Sequence, residues 1–570
     1  LTIRALGMII GTVRMEQALN DYDVIVIGAG FGGPVAAKKC ADAGLKTLML
    51  ERSEHVGEKV ISGLTIPIYG FLFGPAFIRD GNPPIERPVD GIINYIIKDI
   101  DTGDIEIDDT LKIPKPFSPV VAFGYNAYCA PFCQWEARKA LESGVELRTS
   151  TVVTDVITGA SGVEGVITET GEQIRSRIVI DAEGSQGLVA IKAGVRRKYP
   201  PEAISLADIY DYEMEKDRLD EIFGFSLRFC WGWDEQNCAP PLGYGNGLMV
   251  WPYRESIHYM HDQCLRMDAS RVPNLKKKLG EYHANITSKL PWWKEEVEPH
   301  ARLRARMWEG FEIFVGLDGN LRAMPNHTDG MMLVGDTAGL ESTELCDGVP
   351  QAWISADLAA DVAIEALKAN DTSRSFLSRY DKRIQGHPLL QWSISGKNRF
   401  NLRYAQQEHS LEKLRNSVHN GWGLGVLTHA STPLVKTLCR HIISNPLVIM
   451  KWRKMFFRYY YNWHHNRFDY SEAHHAPLAK NAEERKRDNR FRRGFRFGQA
   501  FILVLSPLIW FLAIVLFPVA KILNPVMKLL LPVIEPIYTG VLKLSAPLTE
   551  RLSRSKVERL VRTDPSLFEE

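Results

Sequence analysis

Three short clusters of glycine and acid carry the chemistry legible in this sequence. Gly28-Ala29-Gly30-Phe31-Gly32-Gly33 has G-x-G-x-x-G spacing. Gly28 permits a tight turn, Gly30 lets backbone approach a pyrophosphate, and Gly33 lets a helix pack closely on a strand. Phe31 lies inside this cradle and belongs to the expected binding set. Glu51 follows 23 residues after Gly28, with Arg52 beside it. An acid at that place accepts hydrogen bonds from ribose hydroxyls and disfavours a 2′-phosphate. In the second cluster, Leu333-Val334-Gly335-Asp336-Thr337-Ala338-Gly339, Asp336 can hydrogen-bond a ribityl hydroxyl. A helix opening at Gly348 and Val349 can aim its N-terminus at a flavin. The third cluster, Asp181-Ala182-Glu183-Gly184, contributes Gly184. A nicotinamide dehydrogenase needs neither of the last two clusters, so the expected dinucleotide is FAD.

These clusters need strand ends and helix starts to position them. Asp23 to Ile27 is an apolar, β-branched run that enters the first cluster. Pro34 to Ala43 reads as a helix closed by Gly44, and Lys46 to Leu50 as a second strand closed by Glu51. That is a β-α-β unit of the length such a unit requires. Further strand signals fall at Ile93–Ile97, Val152–Ile157, Gly165–Ile167, Ile178–Asp181 and Met331–Val334. Helices are expected over Cys133–Ser143 and Val349–Leu367. Residues 204–315 mix strands and helices and are rich in Trp and Tyr, which suggests a separate substrate domain inserted between cofactor segments.

Composition excludes several classes. The 570 residues hold 69 Lys+Arg against 68 Asp+Glu, a net charge of +1, so no global field favours nucleic acid. Hydrophobic residues make up 45% and charged residues 24%, which excludes wholesale disorder. The eight cysteines form no C-x-x-C pair, which argues against a zinc ribbon, a built-in ferredoxin module or a disulfide scaffold. Cys346, in Glu344-Leu345-Cys346-Asp347-Gly348-Val349-Pro350, has no second cysteine near it in sequence and reads as a small packing residue. His464, His465, His474 and His475 lie in a polar, tyrosine-rich segment and read as surface residues, so no metal is expected.

With the three clusters in this order, the chain resembles the FAD-dependent oxidoreductases of the para-hydroxybenzoate hydroxylase fold. Within that fold it is most similar to the geranylgeranyl reductase and electron-transfer-flavoprotein:quinone oxidoreductase group, especially its Fix-type members. The loop Gly57-Glu58-Lys59-Val60-Ile61-Ser62-Gly63 resembles the flavin-facing loop of that group, which implies roles for Lys59, Ser62 and Gly63; Val153 joins the implied cofactor set. Pro84-Ile85-Glu86-Arg87 resembles the Fix-type proteins. The resemblance covers roughly residues 22–400 and implies an α/β fold: a Rossmann-like FAD-binding domain, an inserted α+β substrate domain and a helical C-terminal region. Two departures stand out. Cys129, Phe132 and Cys133 replace the group's usual Arg, then Phe-Asp, and no cysteine quartet for an iron–sulfur cluster is present.

The far C-terminal part changes character. Lys451 to His465 interleaves bases and aromatics, and its part over 451–463 would dock on a membrane surface or form a solvated helix rim; Lys480 to Arg496 holds eight Lys/Arg. Ala500 to Ala520 then runs without a charge, long enough at about 1.5 Å per residue to cross a bilayer as a helix. Beyond it Lys521, Lys528 and Glu535 fall on one stripe of a proline-kinked amphipathic helix suited to the membrane interface. The expected organisation is a leader over 1–20, FAD-binding segments over 21–203 and 316–370, and a substrate domain over 204–315. A helical region over 371–479, a basic linker over 480–498, membrane-anchoring helices over 499–548 and a polar tail over 549–570 complete it.

The leading expectation is a membrane-bound FAD oxidoreductase on the cytoplasmic face of a membrane. It would take electrons from a protein donor of the electron-transfer-flavoprotein type and pass them to a quinone, directly or with a ferredoxin-like subunit. The alternative is a geranylgeranyl-type reductase of double bonds in an isoprenoid membrane lipid. A flavin monooxygenase or halogenase is the third reading. No catalytic acid or base is named, because flavin chemistry resides in the cofactor.

Overall fold

The computed structural model describes residues 21–58, 62–99, 104–112, 122–198, 204–232, 247–263, most of 280–312, 325–341, 347–387, 389–390 and parts of 451–463. The chain divides into two units. One comprises Leu1–Lys112, Ala122–Tyr404 and Tyr461–His475; the other comprises Ile113–Val121, Ala405–Tyr460 and Ala476–Glu570. In the second unit Trp452, Met455, Tyr459 and Tyr460 are buried. All three sheets belong to the first.

That unit begins with β1 (Tyr22–Ile27), α1 (Gly33–Asp42) and β2 (Thr47–Leu50). Val24, Ile25, Val26 and Ile27 are buried, as are all four residues of β2. A strand buried on both faces needs a continuous apolar run, which is what the sequence supplies. α1 buries Val35, Ala36, Ala37 and Cys40 and leaves the Lys38–Asp42 pair exposed.

The chain continues through β3 (Gly63–Pro67), α2 (Ile68–Phe73), β4 (Arg87–Val89), β5 (Gly91–Asp99), β6 (Asp104–Lys112) and β7 (Gly124–Tyr128). Next come α3 (Cys129–Glu142), β8 (Glu146–Arg148), β9 (Val153–Gly159), β10 (Gly162–Thr168) and β11 (Gln173–Asp181). β12 (Ile204–Glu213), β13 (Ser226–Gly232), β14 (Gly247–Pro252), β15 (Ser256–Gln263) and β16 (Arg302–Glu312) follow. β17 (His327–Thr328), β18 (Met331–Leu333), α4 (Val349–Ala369) and α5 (Arg374–Gly386) close the series.

The first sheet has the order β17-β18-β11-β1-β2-β8, with β10 and β9 attached through β11. From β18 to β8 the strands are parallel. Ile27 stands beside Leu50 on one side and Asp181 on the other, and Asp181 stands beside Leu333. The carboxyl ends of four strands therefore meet at one edge, where open parallel sheets bind ligands. One core cluster joins Ile25, Ile27, Leu48, Leu50, Val179 and Leu333 under this edge. The long helix α4 lies against α1, with Lys39 paired to Asp357 at 2.8 Å and to Asp361 at 2.9 Å. It ends on Asn370 in the left-handed conformation.

The second sheet has the order β16-β12-β15-β14-β13-β5-β6 and is antiparallel except where β5 lies parallel to β13. Its own core holds Tyr210, Val250, Ile257, Tyr259, Trp292 and Trp293. The third sheet, β3-β7-β4, is short and antiparallel.

Three expectations need correction or placement. Sequence alone groups β5 and β6 with the FAD-binding part. They lie in the second sheet, because alternation marks a strand but not its partner. The helix expected from Cys133 starts at Cys129, since Pro131 sits in its first turn, where a missing N–H breaks no helical bond. Trp463, in the run expected to meet a membrane surface or solvent, is buried inside the first unit. Among the described residues no helix is long and apolar enough to cross a membrane. The leader and the segments from 464 onward, including Ala500–Ala520, lie outside the described residues.

Candidate dinucleotide-binding site

The first glycine cluster leaves β1 at the shared edge. Gly28 has φ +92 and donates its N–H to the Leu50 carbonyl at 2.7 Å. A Cβ there would lie 2.5 Å from the Ala182 carbonyl oxygen, and one on Gly33 would collide with the Gly28 carbonyl. Gly30 differs: no protein atom lies within 4 Å of where its Cβ would stand. That open position lies beside the N-terminus of α1, which has no side-chain cap. Backbone N–H groups and the helix dipole at such an end suit a pyrophosphate. The aromatic ring of Phe31 lies 5.8 Å from that of Phe132 and 6.3 Å from that of Trp353, so the cradle is braced by an aromatic cluster.

Glu51 ends β2 with both oxygens held by backbone. Oε2 accepts from Ala29 N–H at 2.9 Å and Oε1 from Ser53 N–H at 2.9 Å. This fixes the carboxylate at the edge and leaves lone pairs for ribose hydroxyls. Arg52 is exposed and donates to Gln186 Oε1 at 3.2 Å, across to the loop that follows β11. Val153 is buried in the core cluster with Ile27 and Leu50.

The second and third clusters interlock. Val334 N–H donates to the Asp181 carbonyl at 3.0 Å, and Gly184 N–H donates to Thr337 Oγ1 at 2.9 Å. Gly335, at φ +58, donates to Ser355 Oγ of α4 at 2.9 Å. A Cβ on Gly348 would lie 2.8 Å from Asp336 Oδ1, so Asp336 abuts the start of α4. Asp181 is fully buried, and burial with the neighbouring Glu183 holds its carboxyl well above the usual range.

Ser62 and Gly63 lead into β3. Ser62 Oγ lies 3.9 Å from Cys129 Sγ. Gly63 pairs with Tyr128 across the third sheet, and a side chain on it would collide with the Tyr253 hydroxyl. Lys59 and Cys346 lie outside the described residues.

Two acids escaped sequence reasoning. Asp347 is buried at the start of α4, accepting from Tyr69 OH at 2.9 Å and from Val349 N–H at 3.3 Å. Burial pushes its carboxyl up to about 7, the Tyr69 bond opposes this, and Asp336 adds to it. Its signal is an acid one residue before a Gly-Val-Pro helix start. Glu136 is fully buried on α3 and accepts from Trp353 Nε1–H at 2.6 Å. Burial holds its carboxyl well above the usual range, favouring the neutral form, and the bond from Trp353 opposes this. Its signal is an acid three and four residues after Cys133 and Phe132, on the apolar face of its helix.

The site thus offers an acid for ribose, an open glycine beside one helix N-terminus for phosphates, and a second acid beside another helix N-terminus. These residues fit FAD. A family model for FAD dependent oxidoreductases matches residues 23–341. The chain is 27% identical over 377 residues to a digeranylgeranylglycerophospholipid reductase of Methanocaldococcus jannaschii, covering 64% of this chain and 83% of that protein. It is 26% identical over 362 residues to the FixC protein of Azorhizobium caulinodans, covering 61% and 76%. In fold it is similar to a geranylgeranyl bacteriochlorophyll reductase-like protein of Thermoplasma acidophilum. The TM-score is 0.53 at 21% identity, over 71% of this chain and 98% of that one.

Proposed function

Since the chain belongs to the FAD dependent oxidoreductases, we propose that it takes electrons from a protein donor of the electron-transfer-flavoprotein type and passes them to a membrane quinone. Bound FAD supplies the two-electron chemistry. The chain's own residues hold its parts in place: Glu51 the ribose, Gly28 to Gly33 and α1 the pyrophosphate, Asp336 and the start of α4 the ribityl and ring. Asp347 and Tyr69 brace the start of α4.

One observation supports the quinone reading over its rival. Glu86 and Arg87, which carry the likeness to Fix-type proteins, are buried and tie the second sheet to the third. Arg87 Nε donates to the Tyr253 carbonyl at 2.8 Å, and Glu86 Oε2 accepts from Arg254 N–H at 3.3 Å. The residues of the likeness therefore shape the sheet junction next to Gly63. In this reading the protein works on the cytoplasmic face of a membrane, anchored by the segment after 499, with a ferredoxin-like subunit or direct transfer completing the route.

The test is anaerobic. Reduced flavoprotein donors are offered to the FAD-loaded protein with a quinone, and donor reoxidation is followed optically. Quinone-dependent reoxidation is expected; none with any flavoprotein donor would sink the reading. The second reading, an isoprenoid-lipid reductase, is favoured by the likeness to digeranylgeranylglycerophospholipid reductases. It predicts saturation of geranylgeranyl chains by the reduced protein, read by mass spectrometry of the lipid.

A further inference from the structure

The second sheet has two unlike faces. One carries Tyr210, Val250, Ile257 and Tyr259 into its own core. The other carries Trp251 and His258, which are cross-strand partners, and Tyr253, two residues after Trp251. All three are buried: Trp251 is 5% exposed, Tyr253 and His258 0%. Among the described residues, Trp251 Nε1, Tyr253 OH and His258 Nδ1 nevertheless have no hydrogen-bond partner. Buried polar groups are nearly always paired, so three orphans on one face call for a reason.

Their setting supplies one. The Tyr253 hydroxyl abuts Gly63, the residue that joins the candidate flavin loop to β3. The Tyr253 ring stacks on Tyr128 at 4.5 Å between centroids and lies 4.5 Å from the His258 ring. His258 Nε2 lies 3.3 Å from Asp211 Oδ1, which turns Nδ1 away from that acid. The segment is held by backbone bonds that make no use of the hydroxyl. Arg87 Nε donates to the Tyr253 carbonyl at 2.8 Å, and Asn126 Nδ2 donates to the Pro252 carbonyl at 2.7 Å. Burial raises the Tyr253 phenol well above its ordinary value, so it remains an O–H donor.

We infer that Tyr253 and Trp251, with the His258 ring packed against Tyr253, form the subsite that binds a carbonyl oxygen of the quinone. This rests on the quinone reading above. A quinone brings two acceptor oxygens and no donors, matching the phenol O–H of Tyr253 and the indole N–H of Trp251 on this face. The double bond of a polyprenyl chain brings no acceptor and would leave them unpaired.

The test uses the full-length, FAD-loaded, oxidised protein in lipid nanodiscs without any donor. Binding of a short-chain benzoquinone is measured by equilibrium dialysis, and geranylgeraniol is the second probe. In Tyr253→Phe the quinone Kd rises about tenfold, as for a lost buried hydrogen bond. FAD content stays the same, geranylgeraniol binding does not move, and Tm holds or rises because an unpaired hydroxyl has been removed. Should that variant not fold, Trp251→Phe carries the same expectation. Unchanged quinone affinity in a folded, flavin-loaded Tyr253→Phe overturns the subsite, and does so without touching the function if the wild type still reoxidises its donor with quinone. A wild type that binds geranylgeraniol and no quinone overturns both.

Discussion

Trp463 Nε1–H donates to the backbone carbonyl of Glu86 at 2.7 Å, joining residues 377 apart in sequence. The indole meets Phe225 edge-on at 5.1 Å, with Lys216 Nζ 5.6 Å and the Arg87 guanidinium 5.9 Å from its ring centre. Arg254 donates to the Trp463 carbonyl at 3.3 Å. A tryptophan from the far end of the chain is thus built into the joint that also holds Tyr253.

Removing that indole should loosen the joint. Trp463→Ala is expected to cost about 3–5 kcal/mol, the range for deleting a large buried aromatic. Trp463→Phe keeps most of the packing and loses one hydrogen bond, about 1 kcal/mol. Urea unfolding followed by tryptophan fluorescence and by circular dichroism separates the two. Equal, negligible losses would show the joint to be dispensable.

The glycines of the first cluster should divide by what surrounds them. Gly33→Ala drives a methyl into the Gly28 carbonyl, so folding itself suffers, by about 1–3 kcal/mol or more. Gly30→Ala meets no protein atom within 4 Å, so stability should stay within about 0.5 kcal/mol. Its methyl occupies the phosphate space, however, and FAD affinity should fall roughly tenfold or more. Thermal unfolding of the apoprotein and FAD titration read the two effects separately. A Gly30→Ala protein that binds FAD normally would place the pyrophosphate elsewhere.

Asp347 gives stability a pH dependence of definite sign. Burial raises its carboxyl from 3.8 to about 7, so between those values the folded chain keeps a proton that the unfolded chain releases. Its contribution is full below pH ~4, declines as pH climbs to 7, and is spent above that. Asp347→Asn keeps an acceptor for Tyr69 and removes the titration. Relative to the wild type, its unfolding free energy should flatten over pH 4–7 and gain most ground at pH 8. Parallel wild-type and variant curves would refute the assignment.

Glu136 should behave as a neutral acid. Glu136→Gln preserves the bond from Trp353 Nε1 and should change stability by less than about 1 kcal/mol at pH 7. Glu136→Ala opens a cavity and strands the indole N–H, a loss of about 2–4 kcal/mol. Chemical denaturation at pH 7 checks both; a Gln variant as damaged as the Ala variant would mean the group is charged.

What could be read from the sequence follows from locality. β1, α1 and β2 were legible because a doubly buried parallel strand is a plain apolar run and the turn after it demands glycine. Glu51, Asp336 and Gly348 fell at strand ends and a helix start for the same reason. The pairing of β5 with β13 was not legible: it is parallel, between distant segments, and nothing in either strand names the other. Trp463 was misread because a basic-aromatic run looks alike whether it meets lipid or fills a core. Asp347 hid because an acid before a helix usually caps it in solvent, and only tertiary packing buries this one.

The join between β5 and β13 also bears on how such enzymes can diversify. A recombination event that exchanged residues 204–312 for those of a relative would leave β5 and β6 behind to meet a stranger's strand, residue by residue, from Gly91 to Ile97. Chimaeras that exchange this sheet with a relative's therefore need their crossovers placed before Gly91.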